Sequence, residues 1–293
     1  MSRRSLKALL ERREILVVPG VYDTLGAVLA EETGFEALFL PGAALAYTRF
    51  GKPDLGLLGL SDVLAVLGAM TERVDRPVIV DADTGYGNVL NVQQTVRRLE
   101  RAGAAAIQIE DQHFPKRCGH LEGKAVVSAG EMVGKVKAAV DARACTETLI
   151  VARTDAIAVE GLDRALDRAR HYAEAGADVL FVEGPPDRAA IERIGRELKD
   201  TAPLLINMVE GGTTPIFAAR ELQQMGYAVT IFPGSLARAF VFMAREVLGA
   251  LKRDGTTGAC RERMVDFKAL NALVGTPAYL EQGERYENRG EQE

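Results

Sequence analysis

Apolar residues fall along this chain in short uncharged runs set between longer stretches of mixed character. Eight runs stand out: Ile15 to Pro19, Ala37 to Leu40, Pro77 to Val80, Ala104 to Ile109, Leu149 to Ala152, Val179 to Val182, Leu204 to Ile206 and Val229 to Phe232. They are rich in Val, Ile, Leu and Phe and lack the alternation of a half-exposed strand, so they predict strands covered on both faces, as in a parallel sheet. Seven intervening stretches carry apolar residues at helical spacing: Ser61 to Val74, Val92 to Ala102, Glu131 to Ala142, Leu162 to Ala175, Arg188 to Leu198, Ile216 to Met225 and Ser235 to Lys252. Strand and helix alternate. A weak internal repeat agrees: TGFEALFLPG, AGAAAIQIED, AGADVLFVEG and MGYAVTIFPG each set a glycine, the usual left-handed helix cap, just before an apolar run.

Eight βα units predict a TIM barrel, an α/β fold, with an open doubly wound sheet as the alternative. A chain of 293 residues, 47% of them hydrophobic, matches one such barrel with a large core. No linker divides it, so one domain is expected over residues 1–281, followed by a polar, disordered tail at 282–293. The segment MSRRSLKALLERREI has amphipathic helical spacing but no apolar signal-peptide core, and no stretch reaches the ~20 apolar residues of a membrane span. A cytoplasmic protein with no membrane partner is expected. The net charge of −5, the absence of Trp and the lack of basic runs argue against a nucleic-acid partner.

Barrel chemistry sits where strands end. The residues following the runs are Gly20 and Tyr22, Pro41 to Ala43, Asp81 and Asp83, Glu110 and Asp111, Arg153 and Asp155, Glu183, Asn207 and Glu210, and Pro233 to Ser235. Core burial does not account for so many charges there. Asp81 and Asp83 are two apart and point to one side of a pleat; with Glu110 they form an acidic cluster that needs a cation, and oxygen ligands suit Mg²⁺ or Mn²⁺. Each acid alone reads equally well as a helix N-cap. Arg153 offers a fork for a substrate carboxylate, or a structural ion pair with Glu183 or Asp155.

The stretch from Ala104 to His120 runs from a buried strand into a polar loop containing Lys116, Cys118 and His120, with Pro115 and Gly119 excluding a helix. It reads as a lid over a metal site. Cys118 has a lowered pKa if Lys116, Arg117 and His120 lie near it, making it a nucleophile or proton donor; otherwise it is a surface thiol. Cys145 and Cys260 lack such neighbours, and three widely spaced cysteines fit neither a disulfide framework nor a zinc site. His171 lies within a predicted helix and reads as a packing or surface residue. The glycines of DADTGYGN and NMVEGGTTP lack the P-loop lysine and the dinucleotide spacing.

PGVYD, GKPDLG, DADTGYGN, IEDQ, PKRCGHLEGK, ARTDA, VEG, NMVEGG and FPGSLAR occur in this order over most of the chain, which thereby resembles the isocitrate lyase and phosphoenolpyruvate mutase superfamily. The KRCGH loop is similar to that of its lyase branch, which includes 2-methylisocitrate lyase, 2,3-dimethylmalate lyase and oxaloacetate hydrolases. Carboxyphosphonoenolpyruvate mutase carries a comparable loop. The resemblance implies a barrel whose C-terminal helix is swapped between subunits of a homotetramer, a dimer of dimers. It implies Mg²⁺ bound directly by Asp81, with Asp54, Asp83 and Glu110 holding its waters. A carboxylate substrate would meet Arg153, Glu183, Asn207, Gly119 and the backbone at Gly42 and Ala43, with Arg238 at a distal carboxylate.

The implied reaction is retro-aldol cleavage of a 2-hydroxy di- or tricarboxylate to a 2-oxo acid and an enolate. Cys118 would protonate the enolate, helped by Lys116 and His120, and Asp54 or Glu110 would be the base. Two positions depart from methylisocitrate lyases: Pro41 replaces the usual Ser, and Phe39 the usual Tyr. A lost pocket hydroxyl favours a 2-alkylmalate and disfavours oxaloacetate hydrolysis, and the lack of His near Ser235 disfavours an oxaloacetate decarboxylase. The rival readings are a phosphorus–carbon bond-forming mutase and a barrel retained only as a binding partner.

Overall fold

The computed structural model describes residues 5–12 and 14–287. Eight strands, β1 (Leu16–Pro19), β2 (Leu38–Leu40), β3 (Val78–Asp81), β4 (Ala106–Glu110), β5 (Leu149–Thr154), β6 (Val179–Val182), β7 (Leu204–Asn207) and β8 (Val229–Phe232), form one parallel sheet in the order β1-β8-β7-β6-β5-β4-β3-β2. The seam between β1 and β2 is bridged at Gly20 and Phe39, with the Val21 N–H donating to the Phe39 carbonyl at 2.9 Å. The sheet is a nearly closed barrel, as the alternation predicts.

Helices α1 (Leu6–Leu10), α2 (Thr24–Glu32), α3 (Gly42–Phe50), α4 (Leu60–Arg73), α5 (Val89–Arg101), α6 (Ala129–Ala142), α7 (Ile157–Glu160), α8 (Leu162–Glu174), α9 (Arg188–Leu198) and α10 (Ala219–Gln224) accompany the strands. Then follow α11 (Ser235–Asp254), a 3₁₀ turn (Gly258–Arg263), α12 (Phe267–Leu273) and α13 (Thr276–Glu287). None of the helices among the described residues is long and apolar enough to cross a membrane.

Strand parity separates two cores. Leu16, Val18, Phe39, Ile79, Ala106, Val151, Phe181, Leu205 and Ile231 pack inside the barrel together with Leu6 and Leu9 of α1. Their neighbours Val80, Ile107, Ile150, Leu180 and Ile206 pack outward in a second cluster with residues of the surrounding helices. Each fully buried aliphatic side chain contributes about 1.5–3 kcal/mol. Phe39, expected at the pocket, belongs to this inner apolar layer and is 2% exposed. Two to four residues beyond these inner positions the barrel turns polar, because the same parity brings Asp81, Glu110, Arg153, Glu183 and Asn207 inward.

Several elements differ from the sequence pattern. Helices α2 and α3 lie outside the stretches of helical spacing, and α2 rests on a local cap, the Asp23 carboxylate accepting the Gly26 N–H at 2.6 Å. Strand β5 runs on to Thr154, so Arg153 lies in the strand and not after it. The tail expected to loosen at Gln282 stays helical to Glu287, with an ion pair between Glu281 and Arg285 one turn apart. The remainder of that tail, 288–293, lies outside the described residues.

Contacts group the chain into two compact units that divide after Ala237. The barrel is the first. Within the second, α12 and α13 pack together, and Phe240, Phe242, Phe267 and Leu280 are exposed.

Candidate active site

The polar inner layer at the strand ends forms a connected set of charges. Asp81, last in β3, accepts the Gly42 N–H through Oδ2 at 3.2 Å; through Oδ1 it accepts the Asp83 N–H at 3.1 Å and Gln108 Nε2 at 3.3 Å. Gly42 and Ala43 open α3, and the Gly42 N–H is engaged by Asp81. Asp83 lies in the left-handed region at φ 47°, and Gly85 follows at φ 87° with Val92 so close that no larger residue fits. The glycines of this segment therefore serve a tight turn between strand and helix.

The acids that would repel one another already have protein cations. Lys116 Nζ pairs with Asp54 and lies 2.9 Å from Asp83 Oδ1, with all three side chains buried. Arg153 Nε is 3.3 Å from Glu110, and Nε and Nη2 make a fork to Asp155 at 2.9 and 3.1 Å. The same guanidinium lies 3.7 Å from Glu183 and 5.2 Å from the centre of the Phe181 ring. The structural ion pairs expected for Arg153 are thus formed, and they fix its plane in the barrel mouth.

Burial pushes the Glu110 carboxyl well above its usual range despite Arg153, and raises Asp83 despite Lys116. Burial works against the charge on Lys116, but Asp83, Glu110, Asp81 and Asp54 together lift its pKa well above the ordinary value. Asp155 goes the other way: burial is overcome by Arg153 and Lys124, and its carboxyl is lowered.

The lid closes over this layer. Gly119 lies so near that a methyl there would stand 2.5 Å from Arg153 Nη2 and 2.8 Å from Glu183 Cγ. His120 Nδ1 accepts the Thr213 N–H at 3.2 Å, so a neutral ring carries its proton on Nε2, 3.6 Å from Glu183 Oε1. Burial lowers the His120 pKa and favours that neutral form. Asn207 Nδ2 donates to Glu183 Oε2 at 3.2 Å.

Cys118 corrects the sequence reading. A lowered thiol pKa requires the flanking cations to lie near it; they are turned elsewhere, and burial raises the pKa instead. Lys116 is held by Asp54 and Asp83, Arg117 donates to the Glu122 carbonyl at 2.9 Å, and His120 faces Thr213 and Glu183. The group is a protonated thiol, suited to giving a proton.

Arg238 lies on α11 in the second unit. Residues that the sequence reading missed are Gln108, Lys124 and Thr213. Gln108 carried a signal in hindsight, as a polar residue at an inward position of an otherwise apolar strand.

Among the described residues no group of His, Cys, Asp or Glu converges as a three-ligand metal shell. Buried oxygens of Glu110, Asn207 and Thr214 have no hydrogen-bond partner within the protein.

Residues 6–252 match the phosphoenolpyruvate phosphomutase family. The chain belongs to that family. Within it, the chain is 42% identical to 2,3-dimethylmalate lyase of Eubacterium barkeri, covering 92% of this chain and 93% of the relative. It is 46% identical to 2-methylisocitrate lyase of Aeropyrum pernix, covering 94% and 87%. Solved structures agree. A 2,3-dimethylmalate lyase superposes with TM-score 0.89 at 38% identity over 96% of this chain and 93% of that one. An oxaloacetate acetylhydrolase bound to 3,3-difluorooxalacetate gives 0.91 at 34%, over 98% and 97%. A phosphonopyruvate hydrolase with oxalate and Mg²⁺ gives 0.87 at 29%, over 98% and 99%. As a member of this phosphomutase family, the protein is an enzyme of the carbon–carbon lyase kind.

Proposed function

We propose that the protein is a Mg²⁺-dependent lyase that cleaves the carbon–carbon bond of a 2-hydroxy di- or tricarboxylate, either 2-methylisocitrate or a 2-alkylmalate such as 2,3-dimethylmalate. The observation that carries this is the meeting, at one barrel mouth, of buried acids, the fixed guanidinium of Arg153 and the protonated thiol of Cys118.

The acidic set fits a hard divalent ion. Mg²⁺ takes one or two carboxylates and keeps several waters, so it needs no converging triad. Asp81 would hold it, with Asp83, Asp54 and Glu110 on its waters; the unpartnered Glu110 Oε1 is such an acceptor. When bound, the ion would polarise the substrate 2-hydroxyl and its carboxylate. Mn²⁺ has the same ligand preferences.

Arg153 orients the substrate carboxylate, and Asn207, Glu183 and the Gly119 backbone line the cleaved portion. A carboxylate base takes the 2-hydroxyl proton. Asp54, engaged by Lys116, and Glu110, with one oxygen free of protein donors, are the two carboxylates placed to act as that base. As the bond breaks, its electron pair passes to the departing fragment as an enolate. Cys118 then delivers the S–H proton to carbon, with Lys116, His120 and Arg153 stabilising the developing charge.

Incubation with 2-methylisocitrate or 2,3-dimethylmalate in Mg²⁺, read through lactate dehydrogenase, is expected to yield pyruvate from one of them. EDTA should lower the rate by at least about 10²-fold. Oxalate from oxaloacetate instead would identify a hydrolase, against the absence of a pocket hydroxyl at Pro41. A new phosphonate signal from a carboxyphosphonoenolpyruvate donor would identify a mutase.

We read the second unit as an assembly device, since its exposed Phe240, Phe242, Phe267 and Leu280 suit burial against another copy. A swapped helix in a dimer of dimers predicts a tetramer by light scattering, and a monomer would exclude it. Free Cys118, Cys145 and Cys260 are compatible with a cytoplasmic setting.

A further inference from the structure

Lys124 lies just beyond the KRCGH segment, and the reaction outlined above gives it no role. Its side chain is 3% exposed, unusual for a lysine in a loop. Nζ donates to the carbonyl of Gly119, within the same lid, and to Asp155 Oδ1 at 3.2 Å. One ammonium thus ties the tip of the lid to the carboxylate that holds Arg153.

The geometry around that contact is tight. Asp155 is fully buried, Arg153 occupies both of its oxygens, and Lys124 shares Oδ1 with Arg153 Nη2. Gly119 has no room for a methyl against Arg153 and Glu183. When the lid lifts, the lysine leaves and Asp155 is balanced by Arg153 alone. When it docks, Lys124 supplies a second positive charge to Asp155, and the hold of Asp155 on the guanidinium is divided between two cations.

We propose that Lys124 is a positioning residue that latches the lid through Asp155 and couples its closure to the availability of Arg153 for a substrate carboxylate. The latch also sets Cys118, since Gly119 follows it directly and the Cys118 N–H donates to the Asp54 carbonyl at 3.2 Å. Lys124 touches no reacting atom; it acts through Gly119 and Asp155. The inference rests on the lyase reading for its effect on turnover, but not for its effect on the lid.

The test separates the two. The intact protein and its Lys124→Met, Lys124→Gln and Lys124→Arg variants are treated with a thiol reagent, and modification of Cys118 is followed by peptide mass, which distinguishes it from exposed Cys145. Without any substrate, and at a temperature well below the Tm of each variant, Lys124→Met and Lys124→Gln should react at Cys118 at least tenfold faster than the parent. Lys124→Arg, which keeps the charge and reach, should stay within threefold. On whichever hydroxy acid is turned over, the Met and Gln variants should raise KM at least tenfold, with a smaller fall in kcat. Cys118 reactivity within twofold of the parent in both neutral variants overturns the latch, whether or not the enzyme turns over. Faster Cys118 modification with no activity on any hydroxy acid would keep the latch and remove the lyase reading. Equal loss in Lys124→Arg and Lys124→Met would refute a charge-borne tie.

Discussion

Replacing Cys118 by serine is expected to lower kcat by about 10²–10⁴-fold with KM little changed, the range associated with losing a positioned general acid. The size follows from how the thiol is held. Burial raises its pKa, so it is fully protonated at neutral pH and has a proton to give. A serine hydroxyl is nearly the same shape and can fill the same space beneath the lid, but it is a far weaker acid. Substrate binding depends on Arg153, Asn207 and the acidic set, none of which the change removes. Pyruvate formation followed against substrate concentration separates the two parameters. A serine variant with parental kcat would mean that the enolate takes its proton from water or another side chain, and Cys118 would then be only a wall of the pocket. Alanine at the same position should match serine in kcat, since neither supplies an acid.

The barrel was legible because its signal is periodic: eight short apolar runs of strand length, four of them preceded by a helix-ending glycine, leave few other ways to bury them. The acidic site was legible for a related reason, since Asp81, Glu110, Arg153, Glu183 and Asn207 all occupy polar inward positions at the ends of otherwise apolar strands. What could not be read was pairing. Nothing in the spacing of Asp54 and Lys116, 62 residues apart, says that they meet, and their contact changes the meaning of the acidic cluster. The Cys118 pKa went astray in the same way: adjacency in sequence to Lys116, Arg117 and His120 is not adjacency of charge, because each side chain turns to another partner. Helices α2 and α3 were missed because their caps and turns are local, short and rich in glycine and alanine. Asp111 shows the limit most clearly. It stands beside Glu110, yet strand parity sends the two carboxylates to opposite sides of the barrel wall.

Asp111→Ala is expected to destabilise the fold by about 3–5 kcal/mol, the scale for stripping one partner from a buried charge network. The carboxylate has no exposed surface. Its Oδ1 accepts the Asp155 N–H at 2.9 Å; its Oδ2 accepts Thr154 Oγ1 and the Tyr172 hydroxyl, both at 2.7 Å, and Arg168 Nη1 at 3.3 Å. Arg168 also donates to the Val127 carbonyl at 2.8 Å, and Val127 N–H donates to the Asp111 carbonyl at 2.8 Å, where the lid returns to the barrel. The network therefore joins α8, the end of β5 and the base of the lid. Burial raises the Asp111 pKa in spite of these donors, so the charge itself is not the main source of stability. The cost of alanine comes from the donors it strands, those of Thr154, Tyr172 and Asp155 among them. Asparagine keeps one accepting oxygen and should cost less than alanine, while Tyr172→Phe, which removes one donor and leaves the acceptor satisfied by others, should cost about 1 kcal/mol. For a chain of this size the alanine variant should melt roughly 6–20 °C lower, at about 2–4 °C per kcal/mol. Because Asp155 hangs from Asp111 and Arg153 from Asp155, turnover should also fall at temperatures where the variant remains folded. An alanine variant melting within about 2 °C of the parent would show that water replaces the carboxylate, and that Arg153 is held by Asp155 without support from behind.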